Sequence, residues 1–462
     1  MPMRTLRFIF LALLLAIPLI GRAQDVPSSP EPKLPLPSQA VPGATIGVKA
    51  LTLQDAIQLA RKNSPTLLSA VTDAGVARED AVQARDGLLP SVNFDTTALY
   101  TQSNNVGGVI FIANNAPHEY TAQGNVHEQL GLGYVFSYRS SAALAAAAKA
   151  RAEIASRGLV VTVVTNYYGF AAAQQKLEVS RRVYDEGEKF FQLTQSLEKG
   201  GEVAHSDVIK AELQFQDRRR QLQEAQLALL NARLNLAVLL FPNFNENFEL
   251  ADDLHASVAL PPRAEFEAQA GIQNPDIRAA ESVIRANNYD VFAARAGYLP
   301  TITLDYYYGI DANRYALNTP PVDPNTPGYS NLGSSYLAQL TLPVWNWGAT
   351  QSKVRQAELK RKLAKSQLSF AQRNLLAEMR SLHSEAETAL NELAGLQRSS
   401  ELAAESLRLI TLRYQNGEST VLEVVDAQTT YATANNAYHD GAVRYRIALA
   451  NLQTLTGVLT TP

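Results

Sequence analysis

The sequence predicts a mainly α-helical chain that also contributes strands to a membrane β-barrel, assembled from one large unit written twice. Three observations carry this. Gly87-Leu88-Leu89-Pro90-Ser91-Val92-Asn93-Phe94-Asp95 returns 210 residues later as Gly297-Tyr298-Leu299-Pro300-Thr301-Ile302-Thr303-Leu304-Asp305. Pro65 maps onto Pro275 at the same offset, and Gly201-Glu202 onto Gly417-Glu418 at 216. Proline is missing from 118–241 and from 344–461, which leaves room for uninterrupted helices. Ahead of each long rod lie two short segments of alternating polarity. Two copies of about 210 residues are too few and too long for a solenoid, so the expected fold is a tandem pseudo-dimer.

The chain is expected to open with a signal peptide over 1–23. Arg4 and Arg7 precede the apolar run Phe8 to Ile20, and Gly21-Arg22-Ala23 supplies a cleavage site. The run falls short of the roughly 20 residues a membrane span needs. Residues 24–50 hold six prolines from Pro27 to Pro42 and read as an extended leader. Repeat 1 is expected over 51–241, with a helix, strands near 90–103 and 123–137, and long helices over 140–198 and 206–240. A linker, 242–262, leads to repeat 2 over 263–458. That repeat has a helix, strands near 300–314 and 334–343, and long helices over 348–415 and 421–456.

The strands follow from period two: Val92 and Phe94 alternate with Asn93 and Asp95, Ile302, Leu304 and Tyr306 with Thr303 and Asp305. Leu130, Leu132 and Tyr134 within Val126 to Phe136, and Tyr336, Ala338, Leu340 and Leu342, complete the four. Aromatic-rich strands about 10 residues long with long loops at one end suit an outer-membrane barrel. Four strands cannot close a barrel, and open edges are not tolerated in lipid. Three copies would supply twelve strands. In the rods, Val421, Val424, Gln428, Tyr431, Asn435, Tyr438, Ala442, Tyr445, Leu449 and Leu452 alternate spacings of three and four, as Leu222, Ala225, Leu229, Ala232, Leu236 and Leu239 do. That period of 3.5 predicts helices supercoiled around their neighbours.

Composition excludes several functions. Without the signal's three arginines the chain holds 38 basic and 44 acidic residues, which gives no case for nucleic acid. There is no cysteine for disulfides or a lipid anchor. His205, Ser206 and Asp207 are adjacent and cannot form a relay. The six histidines lack metal-ligand spacing, and Gly131-Leu132-Gly133 is no nucleotide loop. No catalysis, cofactor or metal is expected.

The order of helix, strand pair, long helix, turn and helix, repeated, resembles the TolC family of trimeric outer-membrane efflux ducts over about residues 51 to 458. The specific matches are the turns between rods, Gly201-Glu202-Val203-Ala204-His205-Ser206-Asp207-Val208 and the segment from Tyr414 to Ala427. The resemblance implies a homotrimer with a twelve-stranded barrel in the outer membrane and a twelve-helix coiled-coil tube through the periplasm. It implies passive conduction of substrate from an inner-membrane pump, of RND or ABC type, through a periplasmic adaptor. Gly201, Val203, Ala204, Gly417, Thr420 and Val421 would meet the adaptor. Ser419 stands where well-known members carry an arginine that locks the tip. Glu423 and Asp426 share a helical face and would form a pore constriction. Asp207 and Tyr414 would form a closed-state latch. A secreted coiled-coil structural or adhesive protein is the alternative; a diffusion porin is disfavoured by the rods.

Overall fold

A computed structural model describes residues 50–101, 118–243 and 274–456, the last apart from 322, 324 and 326, with 247–251, 253–256, 258–260, 262 and 263 between them. The expected signal peptide and nearly all of the leader lie outside the described residues.

Each repeat starts on a capped helix. Helix α1, Leu53–Asn63, begins with a capping box in which Thr52 and Asp55 satisfy each other's backbone N–H groups. Ser64 then caps α2, Pro65–Asp86. In the second copy, Asn274 caps α5, Pro275–Ala296, its Oδ1 accepting from the N–H groups of Asp276 at 2.9 Å and Ile277 at 3.2 Å. The repeated proline is thereby explained: in both copies it occupies the first helical turn, where no N–H partner is lost. The single helix expected at the head of repeat 1 is two helices, broken at Ser64 because the residue before proline is pushed out of the α region.

The sheet follows. Strands β1 (Ser91–Tyr100), β2 (His118–Leu130), β3 (Thr301–Ala312) and β6 (Leu332–Thr341) run antiparallel in the order β1-β2-β3-β6, joining strands from both halves of the chain in one sheet. Two-residue strands β4 (Asn318–Thr319) and β5 (Tyr329–Ser330) pair separately in the connection before β6. The register sorts side chains by face. Val92, Val126, Tyr306 and Tyr336 lie in one row, and Leu130, Ile302 and Leu340 in another on the same face. The opposite face carries the row Asn93, Asn125, Tyr307 and Ser335, and His127 beside Asp305 at 2.7 Å. One face is therefore apolar, the other polar, and β1 and β6 are left as open edges.

The second strand differs from the sequence reading, 118–130 rather than 123–137, and Tyr134 and Phe136 belong to the helix that follows. Alternation could not locate this end. The ladder stops where Leu130 meets Ile302, and Pro300 supplies no donor beyond, so the chain must satisfy its backbone internally. The other strands match their expected ranges to within three residues at either end.

Four rods complete the unit: α3 (Leu132–Lys199), α4 (His205–Leu240), α6 (Ala349–Gln415) and α7 (Val421–Thr456). At about 1.5 Å per residue the 68-residue α3 is roughly 100 Å long. It starts at 132 and α6 at 349, where 140 and 348 were expected. The apolar stretch of α3 is a packed face: Leu159, Val160, Val163, Val164 and Tyr167 bury against Ala56, Ile57 and Ala60 of α1 and Leu236, Ala237 and Leu240 of α4. No helix among the described residues is long and apolar enough to cross a membrane. On α7, eight of the ten seam residues are buried, Asn435 and Tyr438 being half-buried. Arg446 ties 253–256 to the rods by donating to the carbonyls of Asp253, Leu254 and Ala256.

Candidate functional site at the reversal end of the rods

The two rod reversals are built on one backbone motif. Gly201 (φ 77°) and Gly417 (φ 72°) both adopt the left-handed conformation. Around them Glu202 N donates to Leu197 O and Glu418 N to Arg413 O, both at 2.9 Å. That six-residue closure satisfies carbonyls the helix ends leave open, and the left-handed residue in it favours glycine. A Cβ at either glycine would meet nothing within 4 Å, so backbone conformation alone selects the residue. Side chains brace both turns: His205 Nδ1 lies 2.6 Å from Glu198 Oε1, and Arg413 Nη2 donates to Glu418 O at 3.1 Å.

Beneath the turns sits a small core of Phe190, Ala211, Tyr414, Val421 and Val424. The Tyr414 ring is 4.9 Å from that of Phe190, and its hydroxyl is 3.3 Å from Thr194 Oγ1. Thr194 is fully buried and donates its one hydroxyl hydrogen to Phe190 O at 2.9 Å, which makes Tyr414 the donor of the pair. Burial above all, with a smaller contribution from the charge of Asp207, pushes the Tyr414 phenol above its ordinary pKa.

The structure corrects two of the expected site residues. The hydrogen bond between Tyr414 and Asp207 is not made, because the phenol is turned inward to Thr194 while Asp207 pairs with Lys210 at 3.3 Å. Asp207 lies in the first turn of α4, where a carboxylate is favoured by the helix dipole. Val421, expected on the docking surface, is 4% exposed, because the seam that starts α7 runs through it. Its neighbour Leu422 is 70% exposed. Val203 is half-buried; Ala204 and Thr420 are exposed beside their glycines.

Glu423 and Asp426 are both exposed, one turn apart on one face of α7. Ser419 donates to Glu423 Oε2 at 2.5 Å, and Thr420 Oγ1 accepts from Glu423 N at 3.4 Å. The serine thus contacts one member of the carboxylate pair, Glu423, directly. Ile209 and Leu213, exposed four residues apart on α4, join Leu422 as apolar surface that sequence reasoning missed. The signal was there, an apolar pair at i, i+4 beside the seam residues Val208 and Ala211.

The family model "Outer membrane efflux protein" matches residues 56–240 and 268–458. Outer membrane protein TolC of Vibrio cholerae is 25% identical over 442 residues, covering 91% of this chain and 94% of that protein. Pyoverdine export outer membrane protein OpmQ of Pseudomonas aeruginosa is 27% identical over 429 residues, covering 88% and 84%. Among solved structures, the CmeC outer membrane channel of Campylobacter jejuni superposes with a TM-score of 0.76 at 18% identity, covering 88% of this chain and 85% of that one.

Proposed function

The chain belongs to the outer membrane efflux protein family, and from that premise we propose that three copies close one twelve-stranded barrel and one twelve-helix periplasmic tube. The chain is an outer-membrane channel protein for efflux and not an enzyme. The family match leaves no support for a secreted adhesive rod. One observation carries the closed oligomer. The sheet ends in two open strands of ten residues each, β1 and β6, with one apolar face across all four strands. In lipid those edges must be paired, and joining β6 of one copy to β1 of the next does so without remainder.

In this assembly conduction is passive: an inner-membrane pump of RND or ABC type supplies energy, and a periplasmic adaptor docks at the rod reversals. Gly201, Val203, Ala204, Gly417 and Thr420 frame that surface, with Leu422 as its apolar contact. Glu423 and Asp426, repeated threefold, place six carboxylates around the axis, where their field attracts cations and repels anions. Closure rests on the packed core around Tyr414. The chain has no cysteine, so single cysteines introduced along β1 and β6 report only on the edges. The expected result is heat-modifiable trimers in outer-membrane fractions, crosslinked between β1 of one chain and β6 of another. Recovery as a soluble monomer would refute the duct.

A further inference from the structure

The segment that leaves the sheet and enters α6 carries features that neither the barrel nor the tube requires. Directly after β6, Trp345 and Trp347 are 75% and 89% exposed, their rings 5.8 Å apart and near perpendicular. Trp347 has φ 55°, a left-handed conformation that is an outlier for a bulky side chain, and Gly348 follows at φ 80°. Such strain persists where surrounding structure or function holds it. Indoles at this level match the interfacial aromatics that border a membrane.

Over the next turns the helix becomes strongly basic. Between 353 and 365 stand Lys353, Arg355, Lys360, Arg361, Lys362 and Lys365, with Glu358 as the only acid. Glu358 is taken by Arg295 of α5 at 2.8 Å, and none of the six cations has an ion-pair partner among the described residues. Arg355, Lys362 and Lys365 are exposed, on the helix face they share with Glu358 at spacings of three, four and seven. Beside them, exposed Leu359, Leu363 and Phe370 form a separate apolar stripe available to the next copy. The opening of α3, residues 137–149 at the 216-residue offset set by the turns, has only two cations, Arg139 and Lys149. The tube therefore does not need this charge.

We propose that Trp345, Trp347 and the cations from Lys353 to Lys365 form a collar that binds anionic phospholipid headgroups on the periplasmic face of the outer membrane. The proposal rests on the reading of the four strands as membrane wall. Lys353 and Arg355 lie within about 10 Å of the start of α6 along its axis. That is close to one Debye length at physiological salt, and the long stems of the lower lysines let their charges reach back toward the bilayer. Charge complementarity and continuity with the apolar face select a lipid surface over a soluble anion.

The test is native mass spectrometry of the full-length, detergent-purified protein titrated with phosphatidylglycerol and with phosphatidylcholine. Wild type is expected to retain phosphatidylglycerol preferentially, and high salt to abolish the preference. K353Q/R355Q/K360Q/K362Q should lower it by about tenfold or more, each cation near an anionic surface adding on the order of 1 kcal/mol. The charge-preserving K353R/R355K/K360R/K362R should restore it. Equal retention of both lipids by wild type, or an unchanged preference in the glutamine variant, would overturn the collar. Unheated gel mobility of the same samples scores the trimer: wild-type trimers without lipid preference refute the collar alone, whereas absence of wild-type trimers refutes the barrel reading and the collar with it.

Discussion

Tyr414 donates to Thr194 across the α6–α3 interface at 3.3 Å, joining the end of the second long rod to the end of the first. The pair sits under both reversals and is closed to solvent. Hydrogen bonds of this kind contribute about 1 kcal/mol net, and more is lost when one buried partner is left unsatisfied. A thermal double-mutant cycle of Y414F with T194V should therefore show coupling of about 1 kcal/mol, while Y414F with D207N should be additive to within about 0.5 kcal/mol. In single-channel recordings D207N is expected to add nothing to Y414F. Strong Tyr414–Asp207 coupling would restore a latch between them.

Val421 and Leu422 are adjacent and should behave oppositely. V421A removes methyls from a buried core and is expected to destabilise by about 1–3 kcal/mol. L422A should leave the melting temperature within error yet weaken adaptor capture by site-specific crosslinking. Undiminished capture in L422A would move the docking surface elsewhere.

The carboxylate pair offers an electrical readout. E423A/D426A should reduce cation preference in bilayer reversal potentials and relieve block by multivalent cations. S419A releases one contact to Glu423 and should change block less than the double variant. Unchanged selectivity in E423A/D426A would place both carboxylates off the pore.

At the reversals, G201A and G417A should each cost on the order of 1–2 kcal/mol, because an L side chain resists the left-handed conformation even where space is open. The measurement is the shift in melting temperature, with G395A as the control, a helical glycine whose added Cβ also meets nothing within 4 Å.

Tyr168 provides a pH test away from the tip. Burial, with a smaller contribution from Asp253, pushes its phenol up to about 12, against the opposing charge of Arg446. The folded protein thus holds this proton more tightly than the unfolded chain does. Its contribution to stability is complete below pH 10 and is lost as pH rises toward 12, at most about 2–3 kcal/mol. Y168F should flatten that part of the alkaline stability profile. An equally steep profile in Y168F would assign the loss to other groups.

The sequence by itself located the rods, the places where they reverse and three of the four long strands, because these rest on local chemistry. Pro65 and Pro275 belong to the first turns of helices, Gly201 and Gly417 to left-handed turns, and alternating polarity to a sheet with one apolar face. A period of 3.5 likewise marked the buried seam of α7 from Val421 to Leu452. What the tertiary structure alone decided were partners and ends. Leu132 and Tyr134 continue an alternation that suits a strand, yet they are helical because the β2–β3 ladder ends at Leu130 and Ile302, with Pro300 lacking a donor just beyond. Tyr414 and Asp207 are close along two rods, but each found a nearer partner in Thr194 and Lys210. Val421 is buried and Leu422 exposed through the azimuth at which α7 meets Phe190 and Ala211. Spacing along a chain fixes which residues share a face; which surface that face meets depends on the packing of elements distant in sequence.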